Sequence, residues 1–424
     1  MSDNAPWSEW LGYCSNVHAG IRLAQTRQNL QQHALEVKRE LGMDHPMGIG
    51  LWLSSVAAAE LSDSQACDEF RDWLQQVELV PFTFNGFPFG DFHQKEVKHA
   101  VYHPTWAESS RLDYTVMLAK IMDKVLPVEM SGNPMSGTIS TLPLGWPENQ
   151  NSRKLPRNLS DRSQRALPQL VSPEFLTQAT CNLDRLVEEL EFIEQKSGRR
   201  IMVCLEPEPG CLLETAEDLC RFFDSYLLDR SPALDARTRR YLGVCHDICH
   251  SAVMFESQAS AIEQYRQRQL EIGKVQVSSA VKMVQPKRAD VLQDDRWFQT
   301  ALLPFSEPKY LHQSVIQHQQ QIQFFEDLPL AMQYMETLNS SELELRVHFH
   351  VPIFLSEMDR LETTQQEIVL FKQAIDQSAI TVPHWEIETY AWGVLPVGWK
   401  YDRLSEGIAQ EWRWLTEIDK SQVT

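Results

Sequence analysis

Short apolar runs recur along the chain, and most are followed by longer segments in which apolar residues return every three or four positions. The runs at 11–17, 48–54, 80–84, 138–144, 201–206, 242–247, 274–278, 345–351 and 385–391 are bounded by Gly, Pro or polar residues. They are rich in β-branched and aromatic side chains, which predicts strands. Between them, Leu183, Leu186, Val187, Leu190 and Ile193 share one helix face, glutamates fill the other, and Gly198 marks a stop. Thr215 with Asp218 forms a capping arrangement ahead of Leu219, Phe222, Phe223 and Leu227. The stretches 112–126 and 363–376 carry the same helical spacing, and the glutamine-rich 311–335 is predicted as a solvated helix.

Strand–helix alternation of this kind predicts a mostly parallel sheet. Polar residues gather at the C-terminal ends of widely separated runs, which is where (β/α)8 barrels build their active sites. An α/β TIM barrel is therefore expected, as one domain over 1–424. The runs outnumber the strands of such a barrel by one, so either 274–278 or 345–351 is accessory. The polar stretch 145–168 has no apolar periodicity and predicts an irregular insertion, while EWRWL at 411–415 predicts a packed C-terminal helical extension.

Composition narrows the function classes. No stretch reaches the roughly eighteen uncharged apolar residues of a membrane span. The N-terminus, MSDNAPWSEW, has neither the basic flank nor the apolar run of a secretory leader, so a cytoplasmic location is expected. The formal charge of −19 is spread along the chain and disfavours nucleic-acid partners. The eight cysteines form no CxxC pair, which argues against a zinc ribbon or a thioredoxin-like site.

Four segments carry candidate chemistry. In the first, a strand delivers Asp247 to its end and His250 follows three residues later, a carboxylate–imidazole pair suited to a divalent metal. An Asp helix cap beside a packed histidine is the structural alternative, and His246 points away from Asp247. In the second, Glu206 ends a very apolar strand, where an unpaired carboxylate is costly, and Glu208 follows between prolines. In the third, strand alternation puts Arg346, His348 and His350 on one face. In the fourth, His384, Glu386 and Glu388 alternate, with Glu388 nearest the strand end among aromatic residues. Asn16, His18, Asn85, His93 and Lys95 are candidates for a substrate-gripping wall, with Lys98 nearby. There is no Walker motif, dinucleotide fingerprint, HExxH or nucleophile elbow.

The segments GYCSNVHAG (12–20), NGFPFGDFH (85–93), VKHAVYHPTW (97–106), LEPEPG (205–210), GVCHDICHSAVMFE (243–256) and HWEIETYAW (384–392) together resemble the xylose-isomerase-like TIM barrels. Within that superfamily they most resemble the bacterial metabolite-traffic proteins of the EboE type. The resemblance implies a divalent metal (Mn, Zn, Fe or Mg) held by Glu206, Asp247, Glu388 and a seventh-strand histidine. His250 then serves as ligand or as substrate-orienting group. The 274–278 run lacks that histidine, so His348 or His350 is its best candidate, with His312 a further contributor. The implied activity is isomerisation or epimerisation of a sugar-like or cyclitol-like polyol in secondary-metabolite precursor processing. Glu206, Glu388 and His250 are the implied catalytic groups, and the resemblance places membrane-associated pathway proteins nearby, without membrane insertion. A non-catalytic barrel that binds a metabolite or partner protein, and a metal-dependent hydrolase, are the alternatives.

Overall fold

The computed structural model of the protein describes residues 10–130, 133–147, 157–159, 166–285, 297–338, 342–378, 380–396 and 401–418. Most of the expected insertion at 145–168 lies outside the described residues. Eight strands close into a barrel: β1 (Leu11–Cys14), β2 (Met47–Trp52), β3 (Leu79–Asn85), β4 (Gly137–Thr141), β5 (Ile201–Leu205), β6 (Leu242–Asp247), β7 (Ile272–Val277) and β8 (His384–Ile387). Each runs parallel to its neighbours, and β8 pairs back onto β1. The fold is an α/β TIM barrel.

The strands read as near-continuous apolar runs because helices cover their outer face while the inner face fills the barrel. The helix Pro173–Ser197 shows how one helix docks. Ser172 caps its first turn, Gly198 ends it in the left-handed region, and the stripe from Leu183 to Ile193 is buried. The C-terminal helix Leu404–Glu417 packs the Trp412 and Leu415 side of the EWRWL segment inward. Among the described residues, no helix is long and apolar enough to cross a membrane.

The 345–351 run is the accessory strand. It lies within Leu343–Val351, inside a seven-stranded antiparallel sheet that also contains Glu357–Met358, Leu361–Thr363, Ser279–Gln285, Ser314–His318, Gln321–Phe325 and Arg157–Asn158. The chain leaves β7 at Ser278 and passes directly into the first long strand of this sheet. Along Leu343–Val351 the side chains alternate. Leu345, Val347, Phe349 and Val351 enter a second apolar core with Phe298, Leu302, Leu328 and Ala331. Arg346, His348 and His350 take the opposite face, toward the barrel.

The glutamine-rich segment departs from its expected helix. Ser314–His318 and Gln321–Phe325 form an antiparallel hairpin, and only Leu328–Thr337 is helical. Glutamine is a good helix former in isolation, but Leu343–Val351 offers the segment a paired edge, and cross-strand pairing overrides local propensity. Gln319 turns the hairpin with a positive φ of 57°.

Inside the barrel, Met202, Cys204 and Cys245 form an apolar patch, and much of the remaining filling is polar. At one level Thr138 hydrogen-bonds both Thr83 and His384. Above it, Lys274 and Glu386 form a fully buried ion pair at 2.7 Å. The Lys274 ammonium also reaches Ser140 and the Phe84 carbonyl. Burial opposes its charge, but Glu386 holds its pKa above the usual lysine range. The Glu386 carboxylate fits only because β2 carries Gly50 beside it, where any Cβ would overlap its oxygen. Replacing Lys274 by Met strands a buried carboxylate, and urea denaturation should show a loss of about 3–5 kcal/mol. The double variant Lys274→Met/Glu386→Gln should recover most of that loss. Equal loss in both variants would mean that packing, not charge, is what the pair supplies.

Candidate functional site

The C-terminal ends of β5, β6 and β8 bring Glu206, Asp247 and Glu388 together. Their relative exposures are 3, 2 and 5%. One carboxylate oxygen of each lies within 4.8 Å of the others. Asp247 is both cap and candidate ligand. Its Oδ1 accepts from the His250 backbone N–H at 3.0 Å, starting the helix Ile248–Val253, and from the Ser278 hydroxyl at 2.7 Å. Its Oδ2 is buried with no hydrogen-bond partner. Glu388 is held similarly: Asn16 and Asn85 each donate to its Oε1 at 2.8 Å. Glu206 keeps a buried Oε2 without a partner.

The accessory strand adds the imidazoles. His350 donates through Nδ1 to the Glu388 carbonyl at 2.6 Å, which leaves Nε2 as a bare lone pair. That nitrogen is buried without a partner, 3.9 Å from Asp247 Oδ2. His250 donates through Nδ1 to the Pro207 carbonyl at 2.9 Å. His348 faces the Gln313 Oε1 through Nδ1 at 2.9 Å. The Gln313 amide orientation is fixed because its nitrogen lies against Glu208 Oε1 and the Pro209 carbonyl, both acceptors. His348 therefore also donates from Nδ1. The Nε2 atoms of His250 and His348 face each other at 3.1 Å, two lone pairs that repel unless a cation or proton lies between them.

The titration behaviour follows from burial. Burial first, then Glu388 and Asp247, push Glu206 well above the usual carboxylate range. Burial first, then Asp247 and Glu386, do the same to Glu388. Glu208 is raised to about 7 by burial, against hydrogen bonds from Tyr102 and Gln313. Burial lowers His250 to about 4 and pushes His348 well below the usual imidazole value. Asp247 goes the other way: burial opposes its charge, but His250, His350 and the Ser278 hydroxyl hold it below the usual aspartate value. Two glutamates inclined to hold protons, a charged aspartate and imidazoles displaced toward neutrality thus share one small buried space.

Among the wall candidates, Asn16, Asn85 and Glu208 line the cleft above the acids, together with Glu206, Glu388, His250, His348 and His350. His18 is instead buried against Tyr13 and stacked on His33. His93 bonds the Asn16 carbonyl from outside the cleft lining, and Lys95 is exposed. Lys98 reaches the cleft, but its ammonium is tied to Asp327 at 2.7 Å. His312 packs against Phe349 and pairs with Glu307. His246 bonds Gln258 and stacks on Phe371, away from Asp247. Sequence reasoning missed Ser278 and Gln313, which orient Asp247 and His348. Ser278 had a signal, a hydroxyl at the end of β7, the position where the resemblance implies a histidine.

No family model matches this chain, and no curated protein matches it. The chain is similar in structure to a xylose isomerase-like TIM barrel protein from Mycobacterium smegmatis in complex with magnesium, at 12% identity and a TM-score of 0.49, with 100% of each chain covered. It is also similar to the IOLI protein with a bound zinc atom, at 10% identity and a TM-score of 0.45, covering 98% of this chain and 99% of that one.

Proposed function

We propose that this protein is a divalent-metal-dependent enzyme of the isomerase or epimerase kind, acting at adjacent oxygens of a small sugar-like or cyclitol-like substrate. The observation that carries the reading is the set of uncommitted atoms: Glu206 Oε2, Asp247 Oδ2 and His350 Nε2 are buried without partners, while the opposite atoms of Asp247 and His350 are held by neighbours. Orienting partners of this kind surround metal ligands. A set of carboxylates and imidazoles suits Mn²⁺, Fe²⁺, Zn²⁺ or Mg²⁺. Glu206, Asp247, His350 and Glu388 would hold the ion, with His250 and His348 adjoining. When bound, the ion supplies Lewis-acid polarisation of a substrate oxygen.

The chain's own groups do the rest. Glu206 and Glu388 face the cleft with pKa values displaced upward, which suits carboxyls that take and return a proton at a substrate carbon. Asn16 and Asn85 hold the Glu388 side chain in place. His250 is positioned by the Pro207 carbonyl to orient a substrate hydroxyl or to share the ion. The resemblance to metabolite-traffic proteins of the EboE type suggests secondary-metabolite precursor processing as the setting. Ligand atoms facing an open cleft favour catalysis over a barrel that only binds a metabolite.

Elemental analysis of the purified chain should find a divalent transition metal or magnesium, and Asp247→Ala should lose it. Ser278→Ala, which keeps every ligand but removes one of the two hydrogen bonds to Asp247 Oδ1, should weaken affinity by about 10–100-fold. Full metal content in Asp247→Ala would sink the assignment. The metal-loaded protein should also exchange a carbon-bound hydrogen of a sugar or cyclitol substrate for deuterium in heavy water, read by NMR.

Affinity for the ion should depend on pH in a defined direction. The ligand carboxyls bind deprotonated, and burial holds Glu206 and Glu388 above their usual range, so binding releases protons. Affinity should therefore rise with pH and fall as the carboxyls protonate. The imidazoles contribute little, because burial already keeps His250 neutral down to about 4. Calorimetry between about pH 6 and pH 8, in buffers of differing ionisation enthalpy, should show net proton release. Proton uptake would contradict the assignment.

A further inference from the structure

Above the ligand atoms, the cleft spans about 540 Å³ of space, part of it open to solvent. Its walls come from the loop after β3 and from the segment leading into the hairpin, and they present Phe87, Pro88, Phe92, Val97, Val101 and Leu311. Phe92, Tyr310 and Tyr390 pack ring against ring, with centroids 5.1, 5.5 and 5.2 Å apart. Most of the polar groups among these walls are engaged elsewhere, the Tyr390 hydroxyl being the exception. The Tyr310 hydroxyl donates to the Phe92 carbonyl, and the Tyr102 hydroxyl to Glu208 at 2.7 Å. The Gln313 amide is used by Tyr102, Glu208, Pro209 and His348. Lys98 is paired with Asp327. Three buried polar atoms without partners, Asn16 Oδ1, Glu206 Oε2 and His350 Nε2, lie on its floor.

A fully hydroxylated substrate would press its outer hydroxyls against hydrocarbon, most of them giving up water with no replacement partner. We infer that the substrate is amphipathic, with adjacent oxygens at one end for the floor and an aromatic or alkyl body that fills the chamber between Phe92, Val101 and Leu311. Only the polar end of this inference rests on the proposed metal function. The apolar end follows from the walls.

Two probes test the halves separately on the full chain. Benzohydroxamate and acetohydroxamate present the same pair of oxygens and differ in the ring. Calorimetry on the Mn²⁺-loaded protein should show benzohydroxamate binding about tenfold more tightly or better. Val101→Asn and, independently, Leu311→Gln should narrow that ratio toward one, with folding checked by circular dichroism. N-phenyl-1-naphthylamine, an apolar fluorophore, should bind the metal-free chain and be weakened about fivefold or more by either substitution. Equal affinity of the two hydroxamates, or tighter binding of gluconohydroxamate than of benzohydroxamate, would overturn the amphipathic substrate. Naphthylamine binding that survives in Asp247→Ala, with neither hydroxamate binding the wild type, would support the chamber and remove the metal reading instead.

Discussion

Glu206, Asp247 and Glu388 place carboxylate oxygens within 4.8 Å of one another in a part of the molecule almost closed to water, and the ammonium directly beneath them, on Lys274, is already engaged by Glu386. Taking one unpaired carboxylate out of water is unfavourable by several kcal/mol, and neighbouring like charges add to that. The arrangement is tolerable only if the acids hold protons or share a cation. The neighbouring residues fit the second outcome, on which the proposed function rests. Ser278, Asn16, Asn85 and the Glu388 carbonyl each fix one side of an acid or imidazole. Hydrogen bonds of that kind orient a ligand without neutralising it.

The barrel and the antiparallel sheet divide this work. The barrel strands end in oxygen donors, and the sheet covering their mouth brings nitrogen donors on one face of Leu343–Val351. The other face of that strand is apolar and belongs to a separate core. Strand alternation thus anchors the sheet and arms the site with the same nine residues. The buried Lys274–Glu386 pair gives the floor a neutral base, so charge introduced above it is not repelled from below.

Much of this was legible in the sequence. Strands such as Ile201–Leu205 and Leu242–Asp247 read clearly because a doubly covered barrel strand is apolar on both faces and ends abruptly at a polar residue. Asp247 and His250 were legible because three residues separate a strand end from the first turn of a helix. What could not be read was which run closes the barrel. Ile272–Val277 and Leu343–Val351 are both apolar and of strand length, and only pairing partners distinguish them. The hairpin at 314–325 was hidden for a related reason, since its glutamines suit a solvated helix and its strand state depends on a neighbour distant in sequence. Lys274 looked like a strand boundary because a lysine inside a barrel is stable only opposite a specific acid. Gln313 looked like one glutamine among many, and its role is set entirely by where Glu208 and His348 lie.

The large insertion between β7 and β8 has an unusual economy of chain closure. Its first long strand, Ser279–Gln285, pairs antiparallel with its exit strand, Leu361–Thr363, so Val281 sits opposite Thr363. The backbone of Thr364 bonds Ala280, and the Thr364 hydroxyl accepts from the same residue. The two ends of the insertion are therefore stitched together beside Ser278, and the chain re-enters the barrel layer where it left. To the barrel, a segment of this length behaves like a short crossover, because the entropy of bringing its ends together is met by its own ladder and not by β7–β8 pairing. A barrel can accept so large an addition at its mouth without longer-range search during folding, provided the addition closes on itself first.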